Sequence, residues 1–581
     1  MHRARSLFPH AAVYAALSLY LLWPILETGS ALGTDDWDAL LFQHGAVLKT
    51  AVEYGQLPFW NPWYCGGNVL WQNPQTPLLT PAYAIAPFVG VPLAVKIVVL
   101  LHYLAGFAGM HLLLRRGLGV TSNVYLWFIA SMFTLAGGAA LHVAVGHLTF
   151  LPYFYLPWVL WLFIEALSGG SFRHGTGAAT ILALGVWNGG VYIAVMAAVA
   201  LGLFAVSAAL CRRDWRPLVM VAFVGVIMAL ASAPKLLPAM LFAADPRKVD
   251  IRAFPPGPDL MSLQLLLTSF LEPFQFRRMR MGGMKYGWHE YGNYVGTVAI
   301  LLAAGSVVSA LARVRVREHW LGVSLAITTL VLLLIAIGDF GPLAPYSLLR
   351  RLPGISDLRI PSRYLLVFTV FAAATIGWAV GSRAGTDTAP PPRPLAVVLI
   401  LATVILAYCN RILVMNVFPF APAAHTLTFG ARSPAPAIDP DTDGFALDSP
   451  MYRGLVNNRG VLRCNEPLHL PGHVDAARPI LFTDGDAAIS RVQFTPNRID
   501  FGVTTKGAPV RVFMNQRYIA GWRSTAGPIA IDEATQLPYV TIPPTATGSH
   551  AFIFAPKGLA AGLLALTMGL ALAVVTWRRR L

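Results

Sequence analysis

The stretch GTDDWDALLFQHGAVLKTAVEYGQLPFWNPWYCGGNVLWQNPQTPLLTP, from Gly33 to Pro81, directly follows the first hydrophobic segment of the chain. It begins with acidic residues, is rich in aromatic residues in its middle, and contains almost no Lys or Arg. Such a segment is typical of a folded loop on the outer face of a membrane, because cytoplasmic loops are enriched in Lys and Arg. We therefore expect the rest of the chain to be a membrane domain that holds this loop.

The composition is that of a membrane protein. Of the 581 residues, 56% are hydrophobic and only 12% are charged, and the mean hydropathy is +0.60. A soluble chain cannot bury that much apolar surface. A net charge of +16 would indicate nucleic acid only in a soluble protein, so we expect no nucleic-acid partner. Among the four cysteines, Cys65 and Cys464 both fall in predicted outer segments and are candidates for a disulfide.

About twelve hydrophobic segments have the length of roughly 20 residues that a bilayer requires. The N-terminal segment has the basic flank of a signal peptide but no small-residue cleavage site, so it is predicted to remain as a span. The fifth and sixth segments are separated only by Asn188-Gly189-Gly190, which indicates either a turn or a kink. The predicted spans are 9–27, 92–113, 123–143, 149–168, 176–190, 191–210, 217–239, 293–312, 319–337, 364–382, 394–413 and 558–577.

Basic residues cluster in alternate connections between these spans. The positive-inside rule places such short basic loops on the cytoplasmic side, and both termini with them. The opposite, outer side then receives the segments 28–91, 240–292, 338–363 and 414–557. The basic connections and termini contain Arg3, Arg5, Arg115, Arg116, Arg173, Arg212, Arg213, Arg216, Arg313, Arg315, Arg317, Arg383, Arg393 and Arg578 to Arg580.

These patterns predict a polytopic α-helical membrane protein with a C-terminal β domain. The membrane module covers 1–413, and residues 558–581 form a last span with a basic cytoplasmic tail. Residues 414–557 contain short alternating apolar runs separated by Pro, Gly, Asn and Asp, which predicts an outer, sandwich-like antiparallel domain. In the first outer loop, apolar residues at helical spacing predict an amphipathic helix over 38–54 lying along the membrane interface. A second helix is expected over 75–88.

Asp35 and Asp36 are the candidate catalytic residues. Asp is a favoured helix N-cap, so one of the pair can simply begin the following helix. A carboxylate at a membrane surface can instead accept a proton from a substrate hydroxyl as a general base. Two adjacent aspartates allow both roles to be filled.

The aromatic part of the first loop contains Trp60, Asn61 and Trp63, followed by Gly66-Gly67. Two interpretations stay open for the indoles: a Trp belt at the membrane interface, or a platform for the apolar face of a sugar. His147, in the short outer loop after the third span, is either a hydrogen-bonded structural group or part of the site.

The outer loops also contain cations, against the positive-inside trend. Anionic lipid headgroups or a solvated face explain them, and so does a phosphate site, where Arg forms forked, charge-assisted hydrogen bonds. Glu290, within Trp288-His289-Glu290-Tyr291, either helps to bind a metal, orients a cation, or pairs with a nearby Arg. The candidate phosphate ligands are Arg278, Arg280, Lys285, Arg359 and Arg363. Walker, dinucleotide, HExxH and GxSxG motifs are absent, so no soluble nucleotide donor is indicated.

Several motifs recur in an order and spacing that resemble the YfhO-like bacterial membrane proteins over nearly the whole chain. The motifs are Asp36-Trp37, Gly55 to Pro62, Gly66-Gly67, Asn73-Pro74-Gln75, Pro81, Gly146-His147 with Leu156-Pro157-Trp158, Trp288 to Tyr291 with Gly296, Leu352-Pro353-Gly354, Arg359 to Tyr364, and Ala520-Gly521-Trp522. The chain is shorter than many members of that family, and missing late spans would alter the entrance for a lipid.

The resemblance implies the C-type glycosyltransferase superfold and an enzyme of the bacterial cytoplasmic membrane. Such an enzyme moves a sugar from a polyprenyl-phosphate donor to an envelope glycan, lipid or protein on the outer face. Asp36 is then the first candidate for the base and Asp35 the second, and Mg²⁺ or Mn²⁺ at Asp36 and Glu290 stays open. The alternative is a non-catalytic transporter or assembly scaffold for lipid-linked glycans. The expected substrate-binding residues are Trp37, Trp60, Asn61, Trp63, Gln75, His147, His289, Glu290 and Tyr291.

Overall fold

The hydrophobic segments of the sequence form a helical bundle in the computed structural model. Within the residues that the structure describes, ten helices are long and apolar enough to cross a membrane. The two remaining predicted spans are the shorter helices Phe172–Trp187 and Thr297–Leu311. The ten are Pro9–Leu26, Val91–Gly117, Asn123–Val145, Leu148–Gly169, Val191–Arg212, Arg216–Ala243, Arg317–Ile337, Pro361–Gly381, Arg393–Val417 and Leu559–Thr576. The structure describes residues 2–29, 31–33, 36–247, 259–275, 281–352, 358–382, 391–418, 420–421, 432–439, 450–462, 464, 470–544, 547–577 and 579.

The third span, Asn123–Val145, lies at the centre of the bundle and is fully buried. It consists of two helices, Asn123–Thr134 and Gly137–Val145, separated by a break. At the break, the backbone N–H of Gly137 donates to the carbonyl of Tyr294 at 2.9 Å, and that of Gly138 donates to Asn293 Oδ1 at 3.3 Å. An interrupted helix is tolerated at membrane depth when other protein groups satisfy its backbone. The second half-helix ends one residue before Gly146.

The basic connections meet at one end of the bundle. Arg317 donates to the backbone carbonyl of Arg212, which joins two of these connections directly. The guanidinium of Arg173 lies 5.2 Å from the ring of Trp577, near the end of the last span. The grouping of cations that the sequence predicted for one side of the membrane is therefore present in the fold.

The C-terminal domain is a sandwich of two four-stranded sheets. One contains the strands Leu481–Thr483, Val510–Met514, Ala530–Ile531 and Pro538–Ile542, and the other Ala487–Thr495, Arg498–Thr505, Trp522–Ser524 and Thr547–Phe554. Alternate residues of both sheets point inward and form one core. The helix Arg393–Val417 continues past the predicted domain boundary at 413.

The first outer loop is packed between the bundle and the sandwich. Its main helix, Asp36–Tyr54, is the predicted amphipathic helix, but protein covers it on nearly all sides, so it does not lie open along the interface. Asp38 accepts hydrogen bonds from the backbone N–H groups of Met451 and Tyr452 at 3.0 and 2.9 Å, at the start of the helix Pro450–Val456. The second predicted helix is shorter than expected and covers Ala82–Val89.

A disulfide joins the first outer loop to the C-terminal part of the chain. Cys65 and Cys464 are bonded, with Cα atoms 4.8 Å apart. The guanidinium of Arg517 lies beside both sulfurs and donates to the carbonyl of Leu470 at 2.6 Å. The pairing that the sequence left open is thus formed, and it fixes the loop against the sandwich.

Candidate functional site

Asp36 and His147 form the centre of the candidate site. Asp36 begins the first-loop helix, and His147 follows the half-helix Gly137–Val145. Gly146, which connects the half-helix to His147, has a φ of +91°. A Cβ atom at this position would collide with the backbone N of Trp37. The absence of a side chain lets the two backbones touch, and Asp36 Oδ2 consequently lies 2.6 Å from His147 Nε2.

Trp37 locks this contact in place. Its indole is completely buried and donates to the carbonyl of Val143 at 3.0 Å, in the last turn of the half-helix. Trp37 therefore positions Asp36 and has no surface for a substrate, which corrects the prediction that it binds one.

The environment of Asp36 favours the ionised carboxylate and leaves it accessible to a substrate. Burial opposes its charged form, but the hydrogen bond and the charge of His147 outweigh burial, and the pKa of Asp36 is lowered from its ordinary value. Its position at a helix N-terminus favours the anion as well. The side chain nevertheless keeps 41% of its surface exposed, so a substrate can reach the carboxylate.

A second histidine, His142, contacts the ring nitrogen of His147 that does not face Asp36. His142 Nδ1 lies 3.0 Å from His147 Nδ1, and the His142 ring stacks on Phe150 with centroids 4.2 Å apart. A carboxylate only accepts hydrogen bonds, so His147 Nε2 donates to Asp36. When His147 is neutral, its Nδ1 must accept the hydrogen of His142 Nδ1. His142 thereby fixes the tautomer of neutral His147, with the hydrogen on the Nε2 atom that faces Asp36.

Glu290 and Arg363 form a buried ion pair next to these histidines. Arg363 donates from Nε and Nη2 to the two carboxylate oxygens of Glu290 at 2.7 and 2.5 Å. Burial alone would raise the pKa of Glu290, but the charge and hydrogen bonds of Arg363 lower it far below its usual range. Of the three roles that the sequence leaves open for Glu290, the structure contains the pairing with a nearby Arg. The charge of Arg363 is already paired with Glu290, which weighs against its predicted role as a phosphate ligand.

His289 links the two pairs. Its Nε2 lies 3.7 Å from Glu290 Oε1, and its ring meets that of His147 edge-on with centroids 5.0 Å apart. Burial, followed by the neighbouring His147, lowers the pKa of His289 to about 4. His289 is therefore neutral at pH 7 and offers a lone pair to a donor or a cation.

The same residues form a candidate metal centre. Ligand atoms of His147, His289 and Glu290 all lie within 4.8 Å of one another, and Asp36 borders them through His147. Imidazole nitrogens with carboxylates suit Mn²⁺ better than Mg²⁺, which prefers oxygen ligands. The donor set thus fits one of the two predicted ions.

Two of the other predicted phosphate ligands lie near this site. Arg359 and Lys285 are partly buried. Burial raises the pKa of Tyr286, and the charges of Arg363 and Arg359 oppose that rise. The charge of Lys285 likewise opposes the rise that burial causes in the pKa of Asp259. The backbone N–H of Lys285 also donates to the hydroxyl of Tyr291 at 3.2 Å. Asp35, Arg278 and Arg280 fall outside the described residues, so their predicted roles stay predictions.

The aromatic part of the first loop packs elsewhere. Trp60 has no exposed surface; its indole donates to Gln516 Oε1 at 2.5 Å and packs against Trp522. Trp63 is equally buried and donates to Asn458 Oδ1 at 3.0 Å. These indoles join the loop to the C-terminal residues, which corrects the prediction of an open sugar platform.

Three further predicted substrate ligands have structural contacts. Asn61 is buried and accepts from the backbone N–H of Trp63 at 3.2 Å. Gln75 lines a small internal cavity with His44 and Asn188. The hydroxyl of Tyr291 donates to Asp259 Oδ1 at 3.1 Å, so this hydroxyl already has a partner within the protein.

Sequence reasoning missed His142 and Asp259. The sequence signal that could have found His142 is that it is a polar residue in an apolar segment, five positions before His147. Asp259 is buried, and its Oδ2 atom has no hydrogen-bond partner. Burial raises the pKa of Asp259, and the hydrogen bond from Tyr291 offsets only part of that effect.

The fold and site together define a polytopic membrane protein with a C-terminal β sandwich and an Asp-His pair at one end of its bundle. No family model matches the sequence, and no curated protein matches it. Among solved structures, it is similar to the arabinofuranosyltransferase AftD from mycobacteria, at 17% identity and a TM-score of 0.43, over 71% of this chain and 27% of AftD. It is also similar to the apo oligosaccharyltransferase of Archaeoglobus fulgidus, at 12% identity and a TM-score of 0.40, over 70% of this chain and 56% of that one. This chain thus spans about a quarter and about half of those proteins' lengths, and at these scores they carry no inference about its chemistry.

Proposed function

We propose that this protein is a membrane glycosyltransferase that moves a sugar from a polyprenyl-phosphate donor to an envelope glycan, lipid or protein on the outer face of a bacterial cytoplasmic membrane. The observation that carries the proposal is the Asp36–His147 pair, whose carboxylate is ionised, held in one orientation and still exposed. A carboxylate with these properties suits a general base for a hydroxyl.

In the proposed reaction, Asp36 accepts the proton of the acceptor hydroxyl as its oxygen attacks the anomeric carbon. The bond from that carbon to the phosphate oxygen breaks with inversion, and polyprenyl phosphate leaves with the electron pair. Arg359 and Lys285 are the proposed partners of the departing phosphate, because cations placed where negative charge develops lower the barrier. His147 keeps the carboxylate aimed at the acceptor.

A divalent cation is an optional part of this proposal. His147, His289 and Glu290 would hold it. A cation held there would supply positive charge to stabilise the phosphate as it leaves. Binding it through His147 would require that residue to give up its hydrogen bond to Asp36 or to His142, because both of its ring nitrogens already have partners.

Two features support the proposed orientation. The Cys65–Cys464 disulfide is a bond typical of compartments outside the cytoplasm. The Arg-rich connections meet at an end of the bundle that holds neither Asp36 nor Glu290, and clusters of this kind mark cytoplasmic faces. Asp36 is therefore proposed to work on the outer side.

The test is an assay for transfer with the purified protein in lipid nanodiscs. The protein is incubated with polyprenyl-phosphate sugars that differ in their sugar, together with a mixture of envelope glycans, and released polyprenyl phosphate is measured. We expect release that depends on Asp36. Tight binding of a donor without release or transfer would favour the scaffold or transporter and overturn the enzymatic proposal.

A further inference from the structure

An apolar surface that belongs to no span lies beside the site. The helix Leu263–Leu271 turns three leucines outward at a spacing of four residues. Leu263, Leu267 and Leu271 keep 72%, 47% and 37% of their surface exposed. The opposite face is buried and is also largely apolar, with Leu265, Leu266 and Phe270. The helix therefore carries large apolar side chains on both faces.

Backbone hydrogen bonds pin both ends of this helix to the ends of membrane helices. The N–H of Met261 donates to the carbonyl of Ile337, the last residue of the span Arg317–Ile337, at 2.8 Å. The carbonyl of Phe270 accepts from the N–H groups of Val295 and Gly296 at 3.2 and 3.1 Å, directly before the helix Thr297–Leu311. The helix therefore lies across the level at which two hydrophobic helices end.

A second segment extends the same surface. Leu260 forms a β-bridge with Gly338, which places the chain after Ile337 alongside the helix. Beyond the bridge, four more large apolar side chains are between 43% and 81% exposed: Phe340, Leu343, Leu348 and Leu352. We call the exposed apolar residues of 260–271 and 340–352 the apolar shelf.

The shelf is continuous with the surface that faces lipid. Leu330 and Leu334, on the span that leads into it, are themselves exposed on the outside of the bundle. Two exposed cations, Arg350 and Arg351, follow within the same segment. Exposed leucines next to arginines at the end of a span are the composition of a segment that lies in the headgroup region of a bilayer.

We propose that the apolar shelf inserts into the outer leaflet and is an interfacial anchor, with Arg350 and Arg351 facing anionic phospholipid headgroups. Eight exposed large apolar side chains grouped in two adjoining segments are unusual on a surface that meets only water. The shelf also adjoins the site, because the carbonyl of Asp259 accepts from the N–H of Asp339 at 3.1 Å and the Asp259 side chain accepts from Tyr291. The anchor thus sets Glu290 and Asp36 at the membrane surface, where a lipid-linked substrate presents its headgroup.

Spin labels test this placement without any assay of activity. Single cysteines are introduced by Leu263→Cys, Leu267→Cys or Leu343→Cys in a background in which Cys211 and Cys409 are replaced by Ser. The labelled protein is placed in nanodiscs, and the accessibility of each label to oxygen, which enters lipid, is compared with that to a water-soluble nickel chelate. Leu564→Cys on the last span is the lipid control, and Val492→Cys on the sandwich is the water control. Gln264→Cys, one position along the same helix and also exposed, is the matched control.

We expect the labels at 263, 267 and 343 to behave like the one at 564, with oxygen access above nickel access, and those at 264 and 492 to show the reverse. Labels at 263 and 343 that behave like the one at 492 would overturn the proposal. Shielding from both reagents would also overturn it, because it would indicate cover by protein. Since 263 and 343 lie in separate segments, one misfolded variant does not remove the test.

A second experiment tests the contact with headgroups. Replacing Arg350 and Arg351 by Gln should raise nickel access at 343 in phosphatidylglycerol nanodiscs and not in phosphatidylcholine nanodiscs. An equal change in the two lipids would contradict the proposed contact with anionic headgroups.

Discussion

Asp36 Oδ2 and His147 Nε2 are 2.6 Å apart, although one residue follows the first span and the other follows the third. Their contact depends on Gly146, at which the backbone of the half-helix touches that of Trp37. The site is therefore held by packed backbone from two separate segments, and the carboxylate is oriented before any substrate arrives.

Asp36→Asn is expected to abolish sugar transfer while the fold persists. The amide keeps the shape of the carboxylate and can still bond to His147, but it cannot accept a proton, so the rate should fall by about 10²–10⁴-fold. Transfer by purified wild type and variant is compared at equal loading, with thermal unfolding as the check on folding. Asp486→Asn, which alters an exposed ion pair on the sandwich, is the matched control and should leave the rate unchanged. Full activity of Asp36→Asn would remove Asp36 from the mechanism.

His142→Phe should reduce kcat about tenfold and leave KM for the donor unchanged. Phenylalanine preserves stacking on Phe150 but removes the Nδ1 atom that fixes the tautomer of His147. The two constants are measured from initial rates over a range of donor concentration. Phe150→Leu, which disturbs the stack and keeps the imidazole, is the control for packing. A fall in thermal stability with kcat unchanged would indicate that His142 is only a core residue.

The spans were predictable because a bilayer imposes a length and an apolar composition on each segment independently. The break before Gly137 was not, because the groups that satisfy it are Asn293 and the backbone of Tyr294, from a remote loop. Trp60 and Trp63 illustrate the same limit. Their sequence context fits a platform or a belt, and only contact with the C-terminal residues decides that they are buried.

For the site, the sequence reveals the residue types but not their pairing. Asp36 and Glu290 are recognisable as candidate outer carboxylates because they lie in the segments Asp36-Trp37 and Trp288-His289-Glu290-Tyr291. Which of them is paired depends on the positions of Arg363 and His147, and these follow from how separate spans pack. His142 is unrecognisable for the same reason, since its role depends on the nitrogen that faces it from His147.

Asp259→Asn should stabilise the protein, and by more at high pH. Burial raises the pKa of Asp259 above its ordinary value, so the native state favours the protonated acid. The contribution of that acid is present below pH 3.8 and is lost as the pH rises through the native pKa, above which the wild type carries a buried carboxylate with an unpaired oxygen. Asparagine keeps the acceptor for Tyr291 and removes the charge, and we expect a gain of about 1 kcal/mol. Thermal midpoints of both proteins from pH 4 to pH 8 should diverge with rising pH; parallel curves would contradict this account.

Glu290→Gln should destabilise the protein strongly. It leaves the guanidinium of Arg363 buried without a counter-charge, and breaking a buried pair from one side costs about 3–5 kcal/mol. The double variant Glu290→Leu with Arg363→Met removes both charges and should recover much of that loss. Unfolding midpoints of the single and double variants are compared with that of Lys506→Gln, which breaks the exposed pair with Asp486 and should cost at most about 1 kcal/mol. A double variant less stable than Glu290→Gln would contradict this account, because the loss would then not come from the unpaired charge of Arg363.

Replacing Cys65 and Cys464 together by Ser should lower the free energy of unfolding by about 2–5 kcal/mol, because the bond restricts the unfolded chain. The bond also holds the first loop against the sandwich, so the loss should be accompanied by faster proteolysis of that loop. Unfolding of the wild type should become easier in reductant, and unfolding of the double variant should not respond. Ser at the free cysteines Cys211 and Cys409 is the control and should preserve the response of the wild type.

Peptide mapping of protein taken from cells without reduction should recover the linked pair, since an outer location exposes both thiols to oxidation. Quantitative alkylation of Cys65 in that material would contradict the bond and, with it, the placement of the loop outside the cytoplasm.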